Sequence, residues 1–237
     1  MENKTTITIN GKKLPYYPRH LSINDSTPCL DISVVIENLN IFKEIADRYK
    51  LPVILIYGTL LGAIRENSFI KHDTDTDLVI DIKYENKLLE MIPELEKAGL
   101  LFIRYYKYTI FNKGSIIYSF MRNEMWIDVY LMQKHFNSYL IEGFKYPKNY
   151  FCRFDLLSFY GQEYLIPYNS EKLLALIYGN DWRIPKINFH PHQKNIIYFK
   201  IYRFLLRYLR HLLKLHFIKN IINKINLYFK VVVYIDK

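Results

Sequence analysis

Three aspartates at alternate positions, Asp73, Asp75 and Asp77, are the residues of this 237-residue chain whose type and spacing best suit chemistry. On an extended chain successive side chains point to opposite faces, so the three carboxylates share one face. Carboxylates this close repel one another, and their pKa values rise unless a cation neutralises them. Proteins hold Mg²⁺ with one or two carboxylates and substrate phosphates. The spacing therefore predicts a site for Mg²⁺, or for Mn²⁺, that handles a phosphate compound.

A solvated acidic loop is the alternative interpretation of these three residues. The apolar run Leu78-Val79-Ile80 follows them directly, which favours acids that open a buried strand, predicted over residues 75–82. We therefore interpret Asp75 and Asp77 as metal ligands. Asp73 is interpreted as an additional contact to the metal or to the phosphate.

The segment before the aspartates also has features of a phosphate site. An apolar strand is predicted over residues 53–57, followed by a turn at Gly58-Thr59 and a short helix over residues 60–65. The free backbone N–H groups and the positive dipole end at a helix start favour a phosphate. Arg65 offers a second positive contact. Taken alone, a Gly-Thr turn is weak evidence, because many turns contain one.

Asp128 lies among the apolar neighbours Trp126, Ile127, Val129 and Tyr130 in a strand predicted over residues 125–131. A lone acid in an apolar strand is costly to bury without a cation. The residues alone leave two interpretations open, a metal site or a salt bridge to a neighbouring Arg or Lys.

Two sequence blocks resemble the LicD/fukutin family. The first is Y-G-T-L-L-G-A-I-R at residues 57–65, continued by F-I-K-H-D-T-D-T-D at residues 69–77. The second block lies further along the chain and matches at Phe159, Gly161, Pro167, Asn169, Glu171, Leu174, Tyr178-Gly179, Asp181-Trp182 and Pro185. The two blocks occur in the order expected for the family, and the resemblance covers roughly residues 31–186.

This resemblance implies an α/β (α+β) fold of the nucleotidyltransferase type, a mixed sheet flanked by helices. It implies transfer of a phosphorylated small alcohol, such as phosphocholine or a polyol phosphate, from a CDP-alcohol donor to a glycan acceptor. It favours Asp128 as the third metal ligand or as the base, with Asp73 the alternative base. We also expect Trp182 and Arg183 to line the donor pocket, although Trp182 could simply close the core.

Composition places few limits on this function. Half of the residues are apolar, which excludes a disordered chain. The cysteines Cys29 and Cys152 form no framework, which suits a reducing cytoplasm, and residues 1–13 do not read as a signal peptide. Lys and Arg balance Asp and Glu over residues 1–185, so the net charge of +10 arises beyond them. We therefore expect no nucleic acid partner for the catalytic region.

Three segments are predicted: an N-terminal hairpin and loop over residues 1–30, the catalytic domain over 31–186, and a basic tail over 187–237. In the tail, basic residues at 200, 203, 207, 210 and 214 recur every three or four positions, which predicts an amphipathic helix. No run of about 18 uncharged apolar residues occurs there, so we expect residues 194–230 to lie on an anionic membrane surface. This would place the protein in the cytoplasm, peripheral to the inner face of the membrane. A partner-binding or core-packing helix is the alternative.

Further elements follow from periodicity and turn residues. The sequence predicts a hairpin over residues 5–16, helices over 31–50, 84–98 and 171–178, and strands over 100–106, 108–111 and 115–121. Two other functions remain open from the sequence. One is a small-molecule nucleotidyltransferase that uses an NTP and releases pyrophosphate. The other is a non-catalytic protein that binds a nucleotide or a glycan.

Overall fold

The computed structural model describes residues 4–18, 31–71, 73–110 and 113–186. The predicted tail and His72 lie outside the described residues. The helices of the described part are α1 (Ile32–Arg48), α2 (Tyr57–Arg65), α3 (Glu85–Lys97) and α4 (Ser170–Tyr178). Its strands are β1 (Thr5–Ile9), β2 (Lys12–Tyr16), β3 (Ile54–Leu55), β4 (Asp75–Asp81), β5 (Leu101–Ile110), β6 (Lys113–Arg122), β7 (Met125–His135), β8 (Ser138–Ile141), β9 (Phe144–Pro147), β10 (Phe154–Phe159) and β11 (Gln162–Pro167).

One mixed sheet dominates the structure, which confirms the predicted α+β class. Its strands lie in the order β10-β11-β3-β4-β7-β6-β5, and β8 and β9 extend it from the end of β7. The β4–β7 and β11–β3 pairs are parallel, whereas the other pairs are antiparallel. The acid-bearing strand β4 therefore lies in the middle of the sheet, where its neighbours on both sides hold it in place.

The predicted N-terminal hairpin is confirmed as β1 and β2. Its turn residues Asn10 and Gly11 have φ values of +49° and +78°, the pattern of the tight turn that Asn-Gly favours. The apolar side chains of the hairpin are buried in the core of the larger sheet. The backbone N–H of Tyr17 donates to the carbonyl of Phe102 at 2.8 Å, which joins the hairpin to β5.

Capping explains where two helices begin and end. The carboxylate of Asp31 accepts the backbone N–H groups of Ser33 and Val34 at the start of α1, the helix predicted over residues 31–50. Gly179 has a φ of +97° and ends α4, a left-handed position that suits glycine.

The structure corrects several predicted bounds. The strand expected over residues 53–57 is only Ile54–Leu55, because Tyr57 already belongs to α2. The two strands expected over 100–106 and 108–111 are one continuous strand, β5. The sequence did not assign residues 132–168, which form the end of β7 and the hairpins β8–β9 and β10–β11.

Among the described residues, no helix is long and apolar enough to cross a bilayer.

Candidate active site

The three alternate aspartates lie together at the start of β4. Each of Asp73, Asp75 and Asp77 offers a carboxylate oxygen, and these oxygens all lie within 4.8 Å of one another. Burial raises the pKa of Asp75 and Asp77 well above the usual range and raises that of Asp73 as well. Repulsion among the neighbouring carboxylates raises the pKa of Asp75 and Asp77 further. Such a cluster favours bound protons or a cation.

Asp128 lies next to this cluster on the neighbouring parallel strand. In the register of β4 and β7, Asp128 is the partner of Asp77. Asp128 is the largest electrostatic contribution to the raised pKa of Asp75, after burial. Four carboxylates therefore share one region of the sheet, and the one at 128 comes from a part of the chain about fifty residues away from the others.

The two oxygens of Asp128 differ in their surroundings. Oδ2 accepts a hydrogen bond from Nη2 of Arg104 at 2.7 Å, which is the salt bridge that the sequence left open. Oδ1 is buried and has no hydrogen-bond partner in the part of the chain that the structure describes. A buried carboxylate oxygen without a partner is costly. The salt bridge thus provides a hydrogen-bond partner for only one of the two carboxylate oxygens.

Gly58 fits closely against the acids. Its backbone N–H donates to Oδ2 of Asp77 at 2.9 Å. A Cβ atom at position 58 would lie 2.1 Å from Oδ2 of Asp73 and 3.2 Å from Oδ2 of Asp77. Position 58 therefore excludes any side chain while the acids keep their places. The sequence predicts that N–H groups at the start of α2 bind a phosphate. In this structure one of them, the N–H of Gly58, donates to the carboxylate of Asp77.

Thr59 is part of the same connection. The hydroxyl of Thr59 accepts the backbone N–H of Asp77 at 2.8 Å, and the residue is only 1% exposed. Two hydrogen bonds thus join α2 to β4. The backbone N–H of Gly58 donates to the side chain of Asp77, and the backbone N–H of Asp77 donates to the side chain of Thr59. The structure gives the Thr59 side chain a role in positioning Asp77.

Sequence reasoning gave no role to three buried tyrosines near Asp77, although Tyr57 opens the first family block. The hydroxyl of Tyr130 donates to Oδ1 of Asp77 at 3.2 Å. Its ring packs edge-on against that of Tyr57 at 5.2 Å, and the hydroxyl of Tyr146 donates to that of Tyr57 at 3.2 Å. Burial raises the pKa of all three phenols, so they stay protonated and neutral, and Tyr130 and Tyr146 act as donors. The alternation of β7 was the available signal, because Tyr130 lies two positions after Asp128.

Glu142 is a further acid that the sequence did not indicate. It lies in the two-residue turn between β8 and β9, where its φ is +50°. The residue as a whole is exposed to solvent. Its carboxyl group nevertheless has many protein atoms around it, which partly dehydrate it. Loss of hydration and the charge of Asp128 raise the pKa of Glu142 to about 7. The turn therefore brings another titratable group towards the acids of β4 and β7.

The remaining predicted contacts lie at the other end of α2. Arg65 and Arg183 line a cavity of about 530 Å³, together with the two lysines Lys71 and Lys186. Nη1 of Arg65 donates to the carbonyl of Trp182 at 3.2 Å. The Trp182 ring is buried in the core, and the guanidinium of Arg183 lies 4.3 Å from its centre. Arg65 lies seven positions after Gly58 in α2, which corresponds to roughly 10 Å along the helix axis.

The acids suit a divalent cation of the hard type. Their oxygens are the ligands that Mg²⁺ and Mn²⁺ prefer. The clustered carboxylates of Asp73, Asp75 and Asp77 and the unpartnered Oδ1 of Asp128 are each explained by a cation among them. The residues present therefore fit a metal centre, with the clustered aspartates as its core and Asp128 beside it.

The sequence also matches a described protein family. The model of the family described as LicD/FKTN/FKRP, nucleotidyltransferase domain, matches residues 50–169. The chain belongs to the LicD family. The matched segment contains the aspartate cluster, Asp128 and Arg104, and ends before Trp182 and Arg183. This assignment confirms the predicted family and supports a transferase of the phosphotransferase type.

The solved structures that resemble this chain include two of ANT(2″)-Ia. One is a crystal structure in complex with adenylyl-2″-tobramycin, with 15% identity, covering 65% of this LicD-family chain and 80% of that chain at a TM-score of 0.43. The other is a solution structure of the antibiotic-resistance factor ANT(2″)-Ia, with 12% identity, covering 67% and 78% at a TM-score of 0.43. No curated protein matches the chain in sequence.

Proposed function

We propose that this LicD-family protein transfers a phosphorylated small alcohol, phosphocholine or a polyol phosphate, from a CDP-alcohol to a glycan or a lipid-linked glycan. The observation that carries the proposal is the cluster of the half-buried Asp73 and Asp75 and the buried Asp77, beside the oxygen of Asp128 that has no partner among the described residues. Buried acids of this kind suit a metal-bound diphosphate. Family membership supplies the class of reaction.

The proposed reaction is a substitution at phosphorus. The acceptor hydroxyl oxygen attacks the phosphorus that carries the alcohol, and a new O–P bond forms. The bond from this phosphorus to the CMP oxygen breaks, and CMP leaves with the electron pair. The hydroxyl proton passes to a carboxylate. A phosphodiester and CMP are the products.

Each acid has a proposed part in this reaction. Asp75, Asp77 and Asp128 would hold Mg²⁺ or Mn²⁺, and Asp73 would complete the set. When bound, the metal would neutralise charge on the donor phosphates. Between the two candidate bases we favour Asp73, because it is half-buried and open to an acceptor, whereas Arg104 occupies Oδ2 of Asp128. Gly58 and Thr59 would keep Asp77 in place.

The cavity at the far end of α2 is proposed to take another anionic part of a substrate. Arg65, Lys71, Arg183 and Lys186 line it. Its distance from the acids, about 10 Å along α2, suits a substrate that extends from the metal centre. Trp182 supports this cavity from the core, since its carbonyl fixes Arg65.

A donor screen tests the proposal. Thermal shift with CDP-choline, CDP-glycerol, CDP-ribitol and NTPs, each with and without Mg²⁺, should single out one CDP-alcohol in a metal-dependent way. The turnover product should be CMP. Release of pyrophosphate from an NTP would instead indicate a small-molecule nucleotidyltransferase, and binding without any turnover would indicate an accessory protein. The D75N and D77N variants should keep the fold and lose turnover, and activity in either would contradict the site.

We also propose that residues 194–230 bind an anionic membrane surface on the cytoplasmic side, where a lipid-linked acceptor would lie. The support is the basic pattern of the tail, and each Lys or Arg near anionic lipid contributes about 1 kcal/mol. The full chain should sediment with anionic vesicles and not with neutral ones. A full-length variant with glutamine at the five basic positions 200, 203, 207, 210 and 214, and a chain that ends after Pro185, should both stay in the supernatant. Equal sedimentation of either one would refute this assignment.

A further inference from the structure

Arg104 belongs to a row of polar residues that crosses four strands of the sheet. Arg104 of β5 is the register partner of Ser119 in β6, and Ser119 is the partner of Asp128 in β7. Asp128 in turn is the partner of Asp77 in β4. Register partners have their side chains on the same face of a sheet. The arginine and the two acids therefore lie in one line on the face that carries the aspartate cluster.

A bulge places Arg104 on this face. The register of β5 and β6 shifts between Phe102 and Arg104, so Ile103 is an extra residue in β5. In a regular strand, residues 102 and 104 would point to the same side. Phe102 is buried in the core on the opposite side of the sheet from Ser119, and the extra residue allows Arg104 to face Ser119 instead. Bulges often re-aim a side chain next to an active site.

Two hydrogen bonds hold the guanidinium in a fixed position. Nε of Arg104 donates to the hydroxyl of Ser119 at 2.9 Å, and Nη2 donates to Oδ2 of Asp128 at 2.7 Å. Nη1 makes no hydrogen bond within the described part of the chain. The Arg104 side chain is 39% exposed, whereas that of Asp128 is 5% exposed. The arginine thus extends from the buried acid towards the open side of the site, with donors to spare.

These features exceed what a structural ion pair needs. A salt bridge that only stabilised the sheet would not need a bulge to re-aim the arginine, nor a half-exposed guanidinium with a nitrogen that has no hydrogen-bond partner among the described residues. A planar guanidinium binds phosphate oxygens through parallel donors and keeps its charge at all working pH values.

We propose that Arg104 is a substrate-binding residue whose free guanidinium nitrogen binds a non-bridging oxygen of the donor diphosphate. This inference rests on the proposed function for the class of donor. Ser119 and Asp128 orient the guanidinium before the donor arrives, so binding costs little ordering of the side chain. Arg104 would then supply positive charge on the side of the diphosphate opposite the clustered aspartates.

Titration calorimetry in Mg²⁺ tests the inference without turnover. The wild type should bind CDP more tightly than cytidine. The R104Q variant should bind CDP about 10- to 100-fold more weakly, the range for a lost charge-assisted hydrogen bond, while its affinity for cytidine stays within twofold. R104K, which keeps the charge but not the fork, should give an intermediate loss.

Two control variants separate binding from stability. Arg122 is a second arginine of the sheet, paired with Glu37 at 2.8 Å and with Asn38 at 3.1 Å. R122Q should lower the melting temperature without changing the ratio of CDP to cytidine affinity. S119A removes only the bond to Nε, and it should weaken CDP binding less than R104Q does. If R104Q fails to fold, R104K and S119A carry the test.

The possible outcomes distinguish this inference from the proposed function. A wild type that turns over a CDP-alcohol, with R104Q and R104K binding CDP as the wild type does, would overturn the role of Arg104 alone. A wild type that binds CDP through Arg104 but turns over no CDP-alcohol would overturn the proposed function alone. Equal wild-type affinity for CDP and cytidine would remove the basis of the inference.

Discussion

The backbone N–H of Gly58 donates to Oδ2 of Asp77 across 2.9 Å, and the hydroxyl of Thr59 accepts the N–H of the same aspartate. The start of α2 and the start of β4 are therefore fixed to each other through one residue. This explains why a small residue followed by a hydroxyl residue precedes the aspartates by about fifteen positions. The pair positions a carboxylate, and the carboxylate in turn caps the helix.

Replacement of Gly58 by alanine should displace an acid and leave the fold intact. The new methyl group would meet Oδ2 of Asp73 at 2.1 Å, and the side chain of Asp73 can rotate away. Loss of one oxygen ligand should weaken Mg²⁺ binding about tenfold or more, within the range seen when a metal site is perturbed. Calorimetric titration with Mg²⁺ alone measures this. The D73A variant is the control: addition of G58A to it should cost little further affinity, and an additive loss would contradict the steric explanation.

Removal of the Thr59 hydroxyl should destabilise the protein through the backbone of Asp77. In T59V the buried N–H of Asp77 loses its acceptor, which costs about 1–3 kcal/mol. T59S keeps the hydroxyl and should lose less than half as much. Urea denaturation followed by circular dichroism gives both values. Equal stability of T59V and the wild type would show that another group can accept this N–H.

The metal-free protein should become less stable as pH rises. Burial and neighbouring carboxylates raise the pKa of Asp75 above its unfolded value of about 3.9. The folded state therefore binds this proton more tightly than the unfolded state. Its stabilising contribution is fully present below pH 3.9 or so and is lost as pH rises through the folded pKa. We expect the melting temperature in EDTA to fall from pH 5 to pH 8.

Two comparisons isolate the acids as the cause of this pH dependence. Mg²⁺ should flatten the decline, because a bound cation favours the ionised carboxylates. D75N should flatten it in EDTA and should melt at a higher temperature than the wild type at pH 8, while it loses turnover. If the melting temperature of the wild type responds neither to pH nor to Mg²⁺, the carboxylates of the cluster do not repel one another enough to affect the stability of the fold.

Asn38 should matter for stability although it lies in a helix far along the chain from the acids. Its buried side-chain amide donates to the carbonyl of Arg122 at 2.9 Å, and its oxygen accepts from the Arg122 guanidinium at 3.1 Å. It thereby joins α1 to the turn that leads into β7. N38A should lower the free energy of unfolding by about 1–3 kcal/mol. The neighbouring N40A, which removes one long 3.5 Å contact to Tyr164, should be near neutral in the same denaturation assay.

The sequence predicted those parts of the fold where local chemistry is explicit. Asn10-Gly11 specifies a tight turn, and the alternate aspartates indicate one face. Residues 132–168 carried weaker signals, because short strands such as β8 and β9 contain only four residues each. Strands this short show little periodicity, and they are stabilised by pairing with each other and with the end of β7, which residue propensities alone do not indicate.

The sequence indicated those candidate site residues that stand out within their own segment of the chain. It missed those whose part depends on how the strands pair. Asp128 was found because an acid in an apolar run stands out. Tyr130 was not, since a tyrosine in a strand is ordinary until its hydroxyl is seen at Asp77. Arg104 was hidden for a different reason: simple alternation places it on the side of Phe102, and only the register shift reverses this.

The extra residue at position 103 also affects how relatives of this protein should be aligned. A relative without the bulge would have one residue fewer in the same strand, and an ungapped alignment would then match Arg104 to a side chain on the wrong side of the sheet. Counting back from the strand that carries Ser119, rather than forward from the helix before it, gives the correct equivalent. Whether an arginine is shared among such proteins can thus be judged only after a single-residue gap is allowed at this point.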